Sequence, residues 1–121
     1  MKLGLDGMAR LLKALGSPER AVPVVLVAGS NGKGSTAALL SSMVRAAGAR
    51  VGLYTSPHLE RVEERVQIDN EPISSTDLAD RLERVVAASH ALDRNPTYFE
   101  AMTAAGFLTF AETPVDLVVI V

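Results

Sequence analysis

A glycine-rich segment near the start of the chain carries one lysine and several hydroxyl residues. From residue 28 it runs Ala-Gly-Ser-Asn-Gly-Lys-Gly-Ser-Thr. Glycines let the backbone approach an anion without a Cβ in the way, and free amides at a helix N-terminus favour negative charge. Lys33 adds a full positive charge, and the hydroxyl of Ser35 or Thr36 can coordinate the Mg²⁺ that accompanies a nucleotide. The segment therefore predicts a loop that binds nucleotide phosphates.

Two features separate this segment from the strict phosphate-loop pattern G-x-x-x-x-G-K-[ST]. Valine stands at position 27, where the first glycine belongs, and Gly34 separates Lys33 from Ser35. The simpler alternative is a glycine-rich turn between a strand and a helix that binds nothing. The apolar stretch before the segment, the helical pattern after it and the lysine inside it favour phosphate binding.

Composition limits the classes of protein to which the chain can belong. The 121 residues suffice for one domain, and 48% apolar with 21% charged residues is typical of globular proteins. Twelve Lys and Arg against fourteen Asp and Glu give a net charge of −2, which argues against nucleic acid or a membrane surface as a partner. The absence of cysteine excludes disulfides and thiolate metal sites. The first ten residues lack a signal-peptide core, so we expect a cytoplasmic protein.

The elements around the loop alternate between strands and helices. Strands separated by long helices imply right-handed crossovers and parallel pairing, so the predicted fold is α/β, a three-layer parallel sheet with helices on both faces. The last strand ends without a turn or polar tail; we expect an incomplete piece of a longer protein, whose uncovered last strand favours self-association. The predicted elements are helices at 6–15, 35–47, Ser75 or Thr76 to about 92, and 98–111; strands at 22–28, 51–55 and 115–121; and a hairpin of 64–68 with 71–73 around Asp69-Asn70.

The loop resembles that of the folylpolyglutamate synthases and dihydrofolate synthases of the Mur ligase superfamily, which reads Gly-Thr-Asn-Gly-Lys-Gly-Ser. Ser30 replaces the threonine of that pattern. The resemblance implies a P-loop, Rossmann-like sheet, with residues 1–121 forming the N-terminal part of a Mur-ligase-type ATP-binding domain and the C-terminal domain absent. It extends over nearly the whole chain through further ordered segments: Leu3-Gly4-Leu5-Asp6, Tyr54-Thr55-Ser56-Pro57-His58-Leu59 with Glu64-Arg65-Val66, Thr97-Tyr98-Phe99-Glu100, and Pro114-Val115-Asp116.

The resemblance also implies an activity. Enzymes of this family transfer the γ-phosphoryl group of ATP to a carboxylate of a pteroate or folate, and the amine of L-glutamate attacks the acyl phosphate to form an amide. The implied cofactors and partners are ATP, Mg²⁺, dihydropteroate or a reduced folate, and L-glutamate, in a monomeric enzyme without nucleic-acid or membrane partners. The family's magnesium-binding glutamate falls on Val121 or one residue beyond it, so we expect these 121 residues to be inactive alone.

Residue roles follow from the same resemblance. Lys33 is the implied catalytic residue, and Ser35 and Ser56 are the implied magnesium ligands. Without the resemblance, Tyr98 and Phe99 are equally well explained as core residues of an amphipathic helix. The implied phosphate contacts are Asn31, Gly32, Lys33, Gly34, Ser35 and Thr36, and the implied pterin contacts are Leu3, Gly4, Thr97, Tyr98, Phe99 and Glu100.

Other chemistry-bearing side chains have structural interpretations. Met43 and Met102 are expected to fill the core. His90 is expected at the surface near a helix end, and His58 as a neutral, hydrogen-bonded loop residue. Carboxylates interleaved with arginines predict a solvated, paired surface rather than a metal cluster at Glu60, Glu63, Glu64 and Asp69.

Two other functions stay open. One is a different Mur-type ligase, such as an enzyme that builds peptidoglycan precursors; that branch usually places Ser or Thr directly after the lysine, unlike Gly34 here. The other is a non-catalytic nucleotide-binding module, which the missing glutamate allows. Within the folate branch, the segment Thr97-Tyr98-Phe99-Glu100 favours an enzyme with both the dihydrofolate synthase and the folylpolyglutamate synthase activities.

Overall fold

The computed structural model describes residues 5–26, 39, 42–55, 62–69, 71–113 and 115–120. Helix α1 spans Leu5–Ala14, α2 spans Ser75–Ala91 and α3 spans Tyr98–Glu112. Short 3₁₀ turns occupy Pro18–Arg20 and Val62–Arg65, and residues 42–46 are helical. The strands are β1 Val24–Leu26, β2 Val51–Tyr54, β3 Val66–Ile68, β4 Glu71–Pro72 and β5 Leu117–Ile120.

The strands form one five-stranded sheet in the order β1-β5-β2-β3-β4. Strand β5 pairs parallel with both β1 and β2, whereas β3 pairs antiparallel with β2 and with β4. The predicted α/β class and the predicted hairpin around Asp69 are confirmed. The sheet is mixed rather than parallel throughout. Only residues 55–65 separate β2 from β3, and only residues 69 and 70 separate β3 from β4, and such short connections join antiparallel neighbours.

Side chains that alternate along the strands bury both faces of the sheet. On one face Tyr54, Val66 and Val118 pack in a core with residues of α1, α2 and α3. On the other face Val51, Leu53 and Val119 pack together, with Val44 of the helical stretch 42–46 against them. The prediction of helices on both faces is therefore confirmed, because the period-2 alternation of a strand sends successive residues to opposite sides.

The last strand is central, contrary to the expectation that it would lie uncovered. β5 lies between β1 and β2, and its Val118 and Val119 are completely buried. Its apolar sequence is explained by cover on both faces and a partner on each side. Within the described part of the chain, the apolar strand residues that stay exposed are on the edge strand β1, at Val24 and Val25, 41% and 38% exposed.

Local chemistry sets the helix ends. Gly16 and Gly48, the predicted helix-ending glycines, have φ values of 90° and 89°, in the left-handed region that glycine adopts at no steric cost. Helix α2 begins one residue before the prediction: Ser74 is its cap, with extended backbone and its Oγ accepting a 3.1 Å hydrogen bond from the Asp77 N–H. Ser75, one of the two predicted caps, is already the first helical residue.

Helices α2 and α3 pack side by side and are joined at one end by an ion pair. The Arg84 guanidinium donates two hydrogen bonds to the Glu112 carboxylate, at 2.7 and 2.5 Å. These bonds hold the pKa of Glu112 below its ordinary value. The predicted core position of Met102 is confirmed, since it is 1% exposed, whereas Met43 is 61% exposed and the prediction for it was wrong. No helix in the described ranges is both long enough and apolar enough to cross a membrane.

Candidate functional site

The parallel strands bring three chain segments to one edge of the sheet. Leu26 of β1 and Tyr54 of β2 both pair in register with Ile120 of β5, so all three strands end at the same level. With neighbouring strands about 4.8 Å apart, the ends of β1 and β2 lie roughly 10 Å from each other. Ligands of open α/β sheets bind at this carboxyl edge. It is the place from which the chain enters the predicted phosphate loop.

The residues predicted to bind phosphate and magnesium lie outside the described residues. The geometry near them is therefore given by the ends of the strands that they follow. Residue 27 directly follows β1, and Ser56 comes two residues after β2. The donor types in these segments, a lysine ammonium, hydroxyls and glycine amides, fit a magnesium nucleotide. The residues concerned are Asn31, Gly32, Lys33, Gly34, Ser35, Thr36 and Ser56.

The residue before Ser56 is held firmly at the end of β2. The Thr55 N–H donates to the Arg65 carbonyl at 2.9 Å, and the Thr55 hydroxyl donates to the Glu64 carbonyl at 3.3 Å. The Gln67 amide donates to the same Glu64 carbonyl at 3.0 Å. The two ends of the segment 55–65 are therefore drawn together at the carboxyl edge.

Helix α3 runs antiparallel to β2, so its N-terminus lies at the same edge. The Phe110 ring packs where a Cβ of Gly52 would be, 2.5 Å from its Cδ1, near the start of β2. Nearer its own N-terminus, α3 contacts the end of β2: the Tyr54 hydroxyl lies 3.3 Å from Thr103 Oγ1. At 1.5 Å per residue, Tyr98 at the start of α3 lies about 7 Å further along the helix. The start of α3 and the strand end that leads into the predicted phosphate loop therefore lie at one edge of the sheet.

Two aromatic side chains stand exposed at the first two positions of α3. Tyr98 is 56% exposed and Phe99 is 65% exposed. The alternative that they fill the core is therefore wrong, because the inward face of α3 carries Met102, Ala105 and Leu108 instead. The Arg65 guanidinium lies over the Tyr98 ring, 5.0 Å from its centroid, which covers one face of that ring with a cation. An exposed aromatic pair beside a cation can bind a flat aromatic ligand.

Thr97 and Glu100 form the N-cap of α3. The Glu100 N–H donates to the Thr97 hydroxyl at 3.1 Å, and the Thr97 N–H donates to the Glu100 carboxylate at 3.0 Å. Glu100 is only 3% exposed, and the Arg94 guanidinium donates to both of its carboxylate oxygens at 2.9 and 3.1 Å. All the contacts described for the Glu100 side chain are internal, whereas the predicted contact of Glu100 with a substrate stays a prediction.

The other predicted pterin contacts, Leu3 and Gly4, lie outside the described residues. The nearest described contact along the chain is at Gly7, where the Arg94 guanidinium packs so closely that a Cβ would lie 2.5 Å from Nη1. The first turn of α1 therefore adjoins the start of α3. Reasoning from the sequence missed Arg94 and the Arg65–Tyr98 contact, although the spacing Thr-x-x-Glu is the signature of a capping box and indicates where α3 starts.

The remaining candidate acids and bases have structural roles in the described chain. Asp69 accepts hydrogen bonds from the Val51 N–H at 3.0 Å and from Arg50 Nε at 3.1 Å. Asp69 is therefore paired, as predicted, but with Arg50 and Arg45 rather than with the arginines interleaved among the carboxylates. Among the described residues, no group of three potential metal ligands is found. His90 Nε2 lies 2.9 Å from Asn95 Oδ1 at the exposed end of α2, as predicted for a surface histidine. Glu60 and His58 lie outside the described residues.

A polar cleft opens at the opposite edge of the sheet, where β2 begins. Its volume is about 350 Å³, and its lining includes Arg50, Asp69, Ser74, Asp77 and Arg81. The cations in the cleft are already paired: Arg50 with Asp69 at 3.1 Å, and Arg81 with Glu112 at 3.3 Å. This cleft is therefore a poor site for phosphates, and the carboxyl edge is the better candidate.

Comparison with known proteins gives consistent results. No protein-family model matches the chain. A probable bifunctional folylpolyglutamate synthase/dihydropteroate synthase of Haloferax volcanii is 42% identical over 99% of this chain and 15% of its own length. The dihydrofolate synthase/folylpolyglutamate synthase of Bacillus subtilis is 41% identical over 93% of this chain and 27% of its own length. The chain thus spans well under a third of these relatives.

Solved structures give the same result for the fold. Mycobacterium tuberculosis folylpolyglutamate synthase complexed with ADP superposes on 97% of this chain with a TM-score of 0.87 and 36% identity, over 28% of its own chain. A bifunctional folylpolyglutamate synthase/dihydrofolate synthase with Mn, AMPPNP and L-glutamate bound superposes on 99% of this chain with a TM-score of 0.90 and 34% identity, over 29% of its own chain. By sequence and by fold, this chain is therefore related to the folylpolyglutamate and dihydrofolate synthases.

Proposed function

We propose that this chain supplies the nucleotide-binding part of an ATP-dependent ligase that joins L-glutamate to a pteroate or folate carboxylate. The observation that carries the proposal is the convergence at one sheet edge of the ends of β1, β5 and β2 with the N-terminus of α3. The segment with phosphate-binding chemistry directly follows β1 in the sequence, and the exposed aromatic pair Tyr98 and Phe99 begins α3. The relatives named above, with ADP or AMPPNP bound in solved structures, support the same assignment.

The nucleotide is assigned to the loop after β1. Backbone amides of Asn31, Gly32 and Gly34 are proposed to bind the phosphates, and Lys33 is proposed to neutralise the charge of the outermost phosphate. Mg²⁺, when bound, would screen the charges on neighbouring phosphate oxygens, with Ser35 and Ser56 as its proposed protein ligands.

The reaction needs ATP because a carboxylate is a poor electrophile. In the proposed sequence, a carboxylate oxygen of the pteroate or folate takes the γ-phosphoryl group, and ADP leaves. The amine of L-glutamate then attacks the acyl carbon, phosphate leaves with the C–O electron pair, and the nitrogen loses a proton to give the amide. The contribution proposed for Lys33 is electrostatic: a fixed ammonium group stabilises charge that develops on the transferring phosphoryl oxygens.

The pteridine ring is assigned to the start of α3. Tyr98 and Phe99 expose aromatic surface there, and Arg65 lies over one face of Tyr98 at 5.0 Å. A heteroaromatic ring can stack on such a surface with an energy of about 0.5–1.5 kcal/mol beyond its simple burial. Residues 1–121 are accordingly proposed to be the N-terminal part of a Mur-ligase-type ATP-binding domain. These residues are proposed to bind the ligands without catalysing the reaction.

Calorimetric titration of the chain with MgATP and, separately, with dihydropteroate tests this proposal. We expect both ligands to bind, and Lys33→Ala to weaken MgATP binding by about tenfold or more while the dihydropteroate affinity stays unchanged. Lys13→Ala is the matched control, because Lys13 is an exposed lysine in the last turn of α1.

The outcomes separate the competing functions. Binding of MgATP without dihydropteroate would favour another Mur-type ligase or a non-catalytic nucleotide-binding module over the folate ligase. Binding of neither ligand would overturn the proposal. Comparing dihydropteroate with a reduced folate as the second ligand distinguishes a dihydrofolate synthase from a folylpolyglutamate synthase, and binding of both indicates a bifunctional parent enzyme. ATP- and glutamate-dependent ADP release by the purified chain would contradict the proposal that it does not turn over.

A further inference from the structure

Next to the exposed aromatic pair, in the first turn of α3, Glu100 forms a buried ion pair with Arg94. The Glu100 side chain is 4% exposed and the Arg94 side chain is 27% exposed. A carboxylate this deeply buried is costly unless its charge and its lone pairs are matched. Arg94 Nη2 meets both oxygens, at 2.9 and 3.1 Å, and the Thr97 N–H supplies a third hydrogen bond at 3.0 Å.

Arg94 is itself fixed by α2. Its backbone N–H donates to the Ser89 carbonyl at 3.2 Å, and its carbonyl accepts a 2.9 Å hydrogen bond from the Ser89 hydroxyl. Ser89 lies in the last turns of α2 and is completely buried. The backbone of Arg94 is therefore held in position before its side chain reaches Glu100.

The third element at this point is α1. Arg94 Nη1 packs against Gly7, where a Cβ would come within 2.5 Å of it. Within the described chain, Nη1 has no hydrogen-bond acceptor, so its contact with α1 is one of packing. While it is hydrogen-bonded to Glu100, the guanidinium can move away from Gly7 only by breaking those bonds. Without these bonds it could move at little energetic cost. Three helices thus meet at one residue: α2 at the backbone of Arg94, and α1 and α3 at its side chain.

We propose that Arg94 is a positioning residue: through Glu100 it fixes the first turn of α3, and thereby the orientation of Tyr98 and Phe99, relative to α1 and α2. In this proposal Arg94 acts through the cap of α3 and takes no part in the chemistry. The consequence for ligand binding, that Arg94 sets the affinity for the pteridine ring, rests on the proposed function. The positioning itself does not.

Amide hydrogen exchange on the 121-residue chain tests the positioning directly. The amides of Glu100 and Ala101 are bonded to Thr97, to its hydroxyl and its carbonyl respectively, and so report on the cap. We expect Arg94→Met to accelerate exchange at these two amides by about tenfold or more, because Glu100 loses its counter-ion. Arg84→Met is the matched control: it removes an arginine–glutamate pair at the opposite end of the same helix.

A rescue variant separates positioning from general destabilisation. In Arg94→Met/Glu100→Gln no unpaired charge is buried, and a glutamine at this position still completes a capping box. We expect the double variant to restore exchange at Glu100 (now glutamine) and Ala101 to within about threefold of the wild type. Gly7→Ala, which pushes the guanidinium away from Glu100, should reproduce the Arg94→Met pattern with no change in charge.

Ligand titrations on the same variants complete the test. We expect Arg94→Met to raise the Kd for dihydropteroate by about tenfold while the Kd for MgATP changes less than twofold. If exchange at Glu100 and Ala101 rises no more in Arg94→Met than in Arg84→Met, the inference is overturned. If exchange rises but the dihydropteroate affinity of the variant equals that of the wild type, or the wild type binds none, the positioning stands and the assignment of the aromatic pair to the pteridine fails.

Discussion

The carboxylate of Asp69 joins the end of one strand to the beginning of another. Its two oxygens accept the Val51 N–H and Arg50 Nε, and its own N–H donates to the Val51 carbonyl at 2.8 Å. The backbone at Asp69 is left-handed, with φ of 52°, a conformation that Asp and Asn tolerate better than most residues. These bonds, the Val51 N–H first, lower the pKa of Asp69 below its ordinary value of 3.8.

Stability should therefore fall in acid through Asp69. Because the folded pKa is depressed, the stabilisation is complete above the unfolded pKa of about 3.8 and is lost as the pH falls through the folded value. Asp69→Asn should lower the free energy of unfolding by about 1 kcal/mol at pH 7, and this difference should shrink below pH 4. Urea unfolding at several pH values measures it. Asp93→Asn is the matched control for the left-handed backbone, since Asp93 also has a positive φ.

Substitutions in the aromatic pair on α3 should affect ligand binding without affecting stability. Tyr98 and Phe99 are 56% and 65% exposed, so replacing either by alanine should change the free energy of unfolding by less than about 0.5 kcal/mol. If they stack on a pteridine, each replacement should weaken dihydropteroate binding by about 0.5–1.5 kcal/mol, as measured by titration. Met43→Ala removes an equally exposed apolar side chain and should leave the affinity unchanged. Unchanged affinity in both α3 variants would contradict the assignment.

At the residue scale, residue types in the sequence predict chemistry more readily than they predict tertiary contacts. The glycine loop was recognisable because its residue types have few other uses together. The burial of Glu100 was not, because it depends on the tertiary placement of Arg94, which no local pattern encodes. For Tyr98 and Phe99 the helical spacing alone allows both core and surface positions, and other residues of α3, among them Met102, Leu108 and Phe110, occupy the inward face.

Among the secondary-structure elements, close contact of α3 with β2 determines where the site-bearing helix lies. A Cβ at Gly52 would lie 2.5 Å from Phe110 Cδ1, so the absence of a side chain lets the ring lie on the strand. Farther along, the space beside Gly106 is occupied by the Tyr54 ring, 3.1 Å from the position of a Cβ. Small residues therefore set the distance between helix and sheet.

Gly52→Ala should destabilise the fold by about 1–3 kcal/mol, because Phe110 is 2% exposed and has little room to move. Phe110→Leu should itself be destabilising, yet it should reduce the additional cost of Gly52→Ala, since the ring edge that clashes is gone. Urea unfolding of the two single variants and the double variant gives this coupling. Strict additivity would show that the two side chains do not interact.

Helices and strands followed from local patterns, whereas strand order did not. Periodicity and glycine caps predicted the extents of α1 and α3 to within a residue or so, because these signals are local. The central place of β5 depends on pairing across more than sixty residues of sequence, Val51 with Leu117 for example, and no local signal encodes that. The sequence of the apolar stretch 115–121 therefore predicts an uncovered strand, although β5 lies in the interior of the sheet.

For the molecule as a whole, β1 is the edge of the described sheet through which we expect copies of the chain to associate. It is the outermost strand on its side, and Val24 and Val25 are 41% and 38% exposed. Unpaired strand edges with apolar side chains favour edge-to-edge association. The self-association that the sequence predicts is therefore assigned to β1 instead of β5.

Sedimentation measurements can test this assignment. We expect the sedimentation coefficient to rise with protein concentration, and Val25→Lys to reduce the rise because charge on an edge strand opposes pairing. Val86→Lys places the same charge on the exposed surface of α2 and should have no effect. A sedimentation coefficient independent of concentration in the wild type, or equal effects of the two lysine variants, would contradict the role of β1.

The position of the nucleotide is the central prediction, and amide chemical-shift mapping with Mg²⁺ and AMPPNP locates the nucleotide directly. We predict that the largest shifts fall in residues 29–36 and at the strand ends Leu26, Thr55 and Ile120, and that Lys33→Ala abolishes them at the same ligand concentration. Shifts concentrated instead at the opposite edge, around Arg50, Ser74 and Asp77, or shifts that persist unchanged in Lys33→Ala, would contradict the assignment of the carboxyl edge as the nucleotide site.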